Sequence, residues 1–295
     1  MIKTILALLA SAALATACTG ITQEQSTSLD LQIYNPQQKS MFPVTATLIT
    51  GPTEAVLIDA QFQKNDAQQL VNMIQDSGKN LTTIYISHGD PDYYFGLDIL
   101  QDAFPQAEIV ATPATVKKIA HSMQGKKAYW GPILKENAPQ KLVLPKPLST
   151  NTLLVDGEEV QIMGMNGHDP KHTFAWIPSE KVILGGVALF ENMHLWLADN
   201  KTPASRHDWL TTLENMKRLQ PKRVIAGHFL GASTQDSRVI EFTKGYVKTF
   251  DQAASTSNNA QELVGHMKAR YPELPSMGTL EFSAKVVKGD IQWPK

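Results

Sequence analysis

Residues 87–96 read SHGDPDYYFG. The residues leading into it, TTIYISH (82–88), are β-branched and aromatic, which predicts a strand ending at His88. Gly89 and Pro91 then shape a loop. His88, Asp90 and Asp92 alternate along it, so in extended backbone all three face one side. A solvated acidic turn has the same composition, and the two readings separate only through what the rest of the chain supplies.

Working outward, VTATLIT (44–50) and EAVLIDA (54–60) are two β-rich runs joined by Gly51-Pro52-Thr53, which predicts a hairpin. Leu70, Val71 and Ile74 recur at helical spacing, predicting a helix over 63–77 that stops at Gly78. A further helix is expected near 95–103 and a strand at 107–112, and Thr112-Pro113 opens another helix. Later strands are expected near 152–155, 158–164, 173–177, 181–185 and 223–228. Helices are expected near 204–219, 236–255 and 259–270. The Pro-rich run 126–150 reads as an irregular inserted loop overhanging a site. Strands alternating with helices in both halves make the fold class α/β.

Two further segments place histidines beside predicted strands. NGHDPKHTFAWIP (166–178) carries His168 and His172 with Asp169 between them, and AGHFLG (226–231) carries His228. In layered α/β folds such strand ends are where sites assemble. Each alone also reads as a polar hairpin loop or an incidental strand-end histidine. His194, in ENMHLW (191–196), lines a pocket or packs beside Trp196. Tyr93, Tyr94 and Phe95 read first as core.

The order LIDA (57–60), SHGDPDY (87–93), GHDPKHT (167–173), ILGGVALF (183–190) and VIAGH (224–228) resembles the metallo-β-lactamase superfamily over roughly residues 44–230. That resemblance implies a four-layer αββα sandwich. It also implies a metal centre, with His88, His168 and His228 at metal-binding positions and Asp92 at the carboxylate of a second metal. Three positions depart from the family pattern: Asp90 replaces the second histidine, Tyr93 the third, and Val187 the bridging carboxylate.

The implied first shell is therefore His88, Asp90 and His168, two imidazoles and a carboxylate with room for water, which suits a catalytic zinc. Asp92 and His228 alone hold a second divalent ion poorly, so one zinc is expected. The same ligand set suits non-haem iron. Asp92 is the candidate to orient or deprotonate water, Tyr93 a hydrogen-bond donor or distant ligand, and His228 a ligand or a donor to substrate. Three functions remain open. The first is a single-metal hydrolase of an ester, lactone or amide bond in a small-molecule substrate; the second is a non-catalytic envelope protein that binds a ligand or partner; the third is an iron-dependent redox enzyme. Substrate choice is expected to lie in loops 126–150 and 190–203.

Composition narrows the partners. The chain has 295 residues, with 27 Lys plus Arg against 28 Asp plus Glu, so it carries no basic footprint for nucleic acid. In residues 1–17 Lys3 is the only charge, and the apolar run TILALLASAALATA (4–17) suits a signal-peptide core and is too short for a spanning helix. Ala15-Thr16-Ala17-Cys18 resembles a bacterial lipobox, although Ala15 stands where Leu is usual. Ordinary cleavage after Ala17 would instead leave a free exported protein. Cys18 is the sole cysteine, so an internal disulfide is excluded and any metal site lacks thiolate. The expected organisation is a signal peptide at 1–17, a polar tether at 18–30 and one domain at 31–295. Thr19 after a lipidated Cys18 implies the outer membrane, facing the periplasm. Radiolabelled palmitate is expected to enter the wild-type chain and to be absent from Cys18→Ser; label retained in that variant would refute the anchor.

Overall fold

In a computed structural model the described residues are 28–293. The expected signal peptide and Cys18 lie outside them. β1 (Asp30–Tyr34), β2 (Ala46–Thr50) and β3 (Glu54–Ile58) form an antiparallel meander. Its β2–β3 turn closes through the Gly51 N–H to the Glu54 carbonyl, at 3.0 Å. Helix α1 (Lys64–Ser77) crosses over to β4 (Asn80–Ile86), which pairs parallel with β3. Gly78 ends α1 in the left-handed region, at φ 65°, where a residue without Cβ carries no steric penalty.

Short helices α2 (Pro91–Tyr94) and α3 (Leu97–Ala103) lead to β5 (Glu108–Ala111). The long helix α4 (Pro113–Leu134) leads to β6 (Lys146–Pro147). These strands make one sheet in the order β1-β2-β3-β4-β5-β6. The second sheet runs β12-β10-β9-β8-β7, from β7 (Thr152–Val155), β8 (Glu158–Met163), β9 (Phe174–Ile177), β10 (Val182–Leu184) and β12 (Arg223–Val224). β11 (Phe190–Glu191) pairs parallel with β13 (His228–Phe229). Helices α5 (Pro203–Arg218), α6 (Ser237–Thr256), α7 (Ala260–Arg270) and α8 (Met277–Lys288) complete the chain.

Strand periodicity sets the layering. Val56 and Ile58 of β3 join Ala175 and Ile177 of β9 in one buried cluster between the sheets. Their neighbours Ala55, Leu57, Phe174 and Trp176 face outward, into a second cluster shared with α1, α5 and α6. Strands apolar on both faces lie between two covers, and the result is the expected αββα sandwich.

Two expectations are corrected. The irregular loop expected from residue 126 is helical as far as Leu134 despite Gly131 and Pro132. Trp130 supplies the reason: it packs edge-on against Phe42 at 5.5 Å and Phe62 at 5.4 Å, so tertiary burial overrides local propensity. The predicted strand 223–228 is two short pieces, because at residues 225–227 the chain passes from the β10 edge to the β11 edge.

At that crossing Gly227 has no room for a side chain, since an added Cβ would collide with the Gly186 carbonyl. The obstacle is backbone and cannot swing aside. Gly227→Ala is therefore expected to destabilise the fold by about 3 kcal/mol, read as a lowered urea midpoint.

Candidate functional site

The site begins where β3, β4 and β10 end. The Asp59 carboxylate accepts from the Ser87 N–H (2.8 Å) and the Ser87 hydroxyl (2.6 Å). Ser87 Oγ in turn accepts from the Gly186 N–H at 2.8 Å. Asp59 sits in the left-handed region, at φ 67°, with its N–H held by the Tyr85 carbonyl at 2.9 Å. An aspartate tolerates that conformation better than most residues. This chain of bonds fixes residue 88 from one sheet and residue 187 from the other.

Past Ser87 the site residues form two sets. In the first, Asp92 Oδ2 lies 2.9 Å from His228 Nε2, and Tyr93 Oη lies 3.2 Å from His228 Nδ1. The His228 ring stacks on Phe190 with centroids 5.0 Å apart. Burial, then the Asp92 charge, push the Tyr93 phenol well above its ordinary range, so it stays protonated. Tyr93 therefore donates to Nδ1, which assigns the proton to Nε2 and turns that N–H toward Asp92.

In the second set, Asp90 carries two ammonium groups, Lys118 Nζ at 3.1 Å and Lys126 Nζ at 2.6 Å. His88 Nε2 faces Lys118 Nζ at 3.4 Å. Burial alone would raise the Asp90 carboxyl, yet the Lys118 and Lys126 ammoniums outweigh it and hold the group well below its usual range. Burial, then the Lys118 charge, depress His88 so far that the ring is neutral and accepts from the ammonium.

His168 does not join either set. Its ring is exposed, with Nε2 3.1 Å from the Asp208 carbonyl on α5. The expected shell of His88, Asp90 and His168 is thus not formed. His172 turns inward instead: it bonds Asp169 Oδ2 through Nδ1 at 2.6 Å and stacks on Trp209 at 4.5 Å. Burial alone would raise Asp169, but the His172 hydrogen bond and charge bring it below its ordinary value. The i,i+3 pairing of Asp169 with His172 was the available signal for this residue, and the Gly-His pattern drew attention to His168 instead.

His88, His172, Val187, Trp196 and Asp199 line a cavity of about 10 Å³, the room of roughly one water. Asp199 reached the site unannounced. Its two oxygens accept from Trp196 Nε1 (2.9 Å) and Trp293 Nε1 (2.8 Å). His194 is packed elsewhere, bonding the Tyr246 hydroxyl at 2.7 Å, and burial lowers its pKa to about 4.

The architecture is a layered αββα sandwich, with its polar residues collected at strand ends. The sequence profile of the metallo-beta-lactamase superfamily matches residues 41–228, and the chain belongs to that superfamily. A metallo-beta-lactamase type 2 from Bacteroides fragilis is 25% identical over 222 residues, covering 73% of this chain and 79% of that protein. A metallo-beta-lactamase family protein from Thermus thermophilus shares the fold at TM-score 0.59 and 20% identity, covering 88% of this chain and 91% of that one. A metallo-beta-lactamase from Pontibacter korlensis does so at TM-score 0.52 and 16% identity, covering 75% and 99%.

The superfamily is one of metal-dependent hydrolase folds that typically bind zinc, so the donors here were tested for fit. Among the described residues no group of three or more His, Cys, Asp or Glu side chains is gathered to hold an ion. Asp90 and His88 face an ammonium, and both nitrogens of His228 are committed. As arranged, these residues do not fit the metal.

Burial raises the Asp59 carboxyl from 3.8 to about 7, against the lowering effect of its bonds to Ser87. A carboxyl with a folded value above its unfolded one holds its proton more tightly when folded. Its contribution to stability is full below about pH 4 and falls as pH rises toward 7. Chemical denaturation between pH 4.5 and 7.5 is expected to show this decline in the wild type and a flatter profile in Asp59→Asn; equal slopes would refute it.

Proposed function

We propose that this protein is a hydrolase of an ester, lactone or amide bond in a small-molecule substrate, with Asp92 as its water-activating base. The observation that carries the reading is the 2.9 Å contact between Asp92 and His228, at strand ends of a hydrolase-type fold. The Asp92 side chain keeps 11% of its surface open, whereas Tyr93 is fully enclosed, so of the two groups bonded to His228 the carboxylate is the one with an edge toward solvent. In the proposed step Asp92 takes a proton from water while the water oxygen bonds to the carbonyl carbon. The same proton then goes to the departing alkoxide or amine as the C–O or C–N bond breaks. His228 holds the carboxylate in place, and Tyr93 holds His228 in the tautomer that does so.

Membership of the superfamily supports the general class and leaves the bond open. A β-lactam amide is one candidate bond, because the Bacteroides relative is named a metallo-beta-lactamase. Export and anchorage through Cys18 complete the proposal, placing the domain at the envelope; their support is the N-terminal sequence alone. A second reading, a non-catalytic binding module, is favoured by the narrow cavity and by the lysine pair on Asp90.

A panel of p-nitrophenyl esters, simple lactones and a chromogenic cephalosporin decides between them. Turnover is expected in at least one class, and Asp92→Asn is expected to lower kcat by about 10²- to 10⁴-fold. Absence of wild-type turnover across the panel would favour the binding module, and unchanged kcat in Asp92→Asn would remove Asp92 from its role.

A further inference from the structure

We infer that the Lys118 ammonium serves as a built-in cation at the first metal position, so that this member of the superfamily excludes the metal its fold usually carries. The geometry is specific. Lys118 Nζ lies 3.1 Å from Asp90 Oδ1 and 3.4 Å from His88 Nε2, between two of the donors that the family motif assigns to one ion. Its stem crosses the loop over residue 89. An added Cβ on Gly89 would lie 2.7 Å from Lys118 Cδ and 2.9 Å from Cγ, so the loop lacks a side chain where the lysine passes.

Lys126, eight residues further along the same helix, reinforces the arrangement. Its Nζ is 2.6 Å from the same Asp90 oxygen and 3.2 Å from the Gly89 carbonyl. Helix α4 thus delivers two positive charges to one carboxylate that is only 19% exposed. A part-buried carboxylate is stabilised by a partner, and here the chain supplies one covalently tethered. A divalent ion arriving at His88 and Asp90 would meet two ammoniums a few ångströms away and would have to displace both.

The exchange also accounts for Asp90 itself. The family pattern has a neutral histidine at that position, and a lysine ammonium would have no counter-charge beside it. With Asp90 present the ammonium gains a charge-assisted bond. Asp90 and Lys118 therefore read as one charge-matched pair.

The test is a zinc chloride titration of the full chain by calorimetry and thermal melting, after dialysis against chelator. Wild type is expected to show no stoichiometric uptake and no melting shift at micromolar zinc. Lys118→Met/Lys126→Met, which frees Asp90 and His88, is expected to gain at least about tenfold in zinc affinity. Lys118→Arg, which restores the charge, is expected to behave as wild type. One zinc bound per wild-type chain at sub-micromolar Kd would overturn the inference, as would a double variant that gains no affinity. If the double variant does not fold, Lys118→Met alone and the wild-type titration decide by the same criteria. The readout needs no turnover, so a failed hydrolysis assay leaves this inference standing, and the reverse also holds.

Discussion

Two sheets meet at this site through one buried line of hydrogen bonds, from the Asp59 carboxylate to Ser87 and from Ser87 to the Gly186 backbone. The line joins the ends of β3 and β4 in one sheet to the end of β10 in the other. Every polar group near the site is placed relative to it. His88 follows Ser87 directly, and Val187 follows Gly186, so the distance between the two walls of the cavity is fixed by bonds between 2.6 and 2.8 Å long. The network lies inside low-dielectric surroundings, where unmade hydrogen bonds are costly. That cost explains why Asp59 accepts both burial and a left-handed backbone.

Beyond that line the two carboxylates are matched in different ways, one by lysines and one by an imidazole. Asp90 is matched by Lys118 and Lys126, while Asp92 is held by an imidazole whose tautomer is set by Tyr93. A superfamily site ordinarily draws its positive charge from bound ions. Here helix α4 carries it, and the two lysines that supply it project from a helix whose far end is pinned by the aromatic cluster of Phe42, Phe62 and Trp130. The packing of that cluster and the electrostatics of Asp90 are therefore one structural problem, since loss of the helix would leave the part-buried carboxylate without either ammonium.

Much of this was legible before any coordinates. The α/β layering followed from strand runs alternating with helical stripes, the αββα order came from the family resemblance, and SHGDPDY, GHDPKHT and VIAGH marked the strand ends that carry polar groups. Asp92, Tyr93 and His228 converge, as their positions in those segments allowed. The expected metal shell did not assemble, because His168 lies on the exposed side of its loop and bonds the Asp208 carbonyl. His172 took the inner side, where Asp169 and Trp209 could satisfy both its polar edge and its face. Lys118 and Lys126 drew no attention at all. On a helix, lysines are ordinarily solvated, and nothing local in the sequence announces a carboxylate 28 residues earlier.

The sequence by itself determined the layered architecture, the family and the strand-end segments, because hydrophobic periodicity and short motifs are local and survive without knowledge of the partner across the core. Tertiary structure alone decided which histidine points inward, where helix α4 ends and which cation meets Asp90. Those outcomes depend on Coulomb and packing contacts between residues tens of positions apart, and pair energies of that kind leave no periodic trace along the chain.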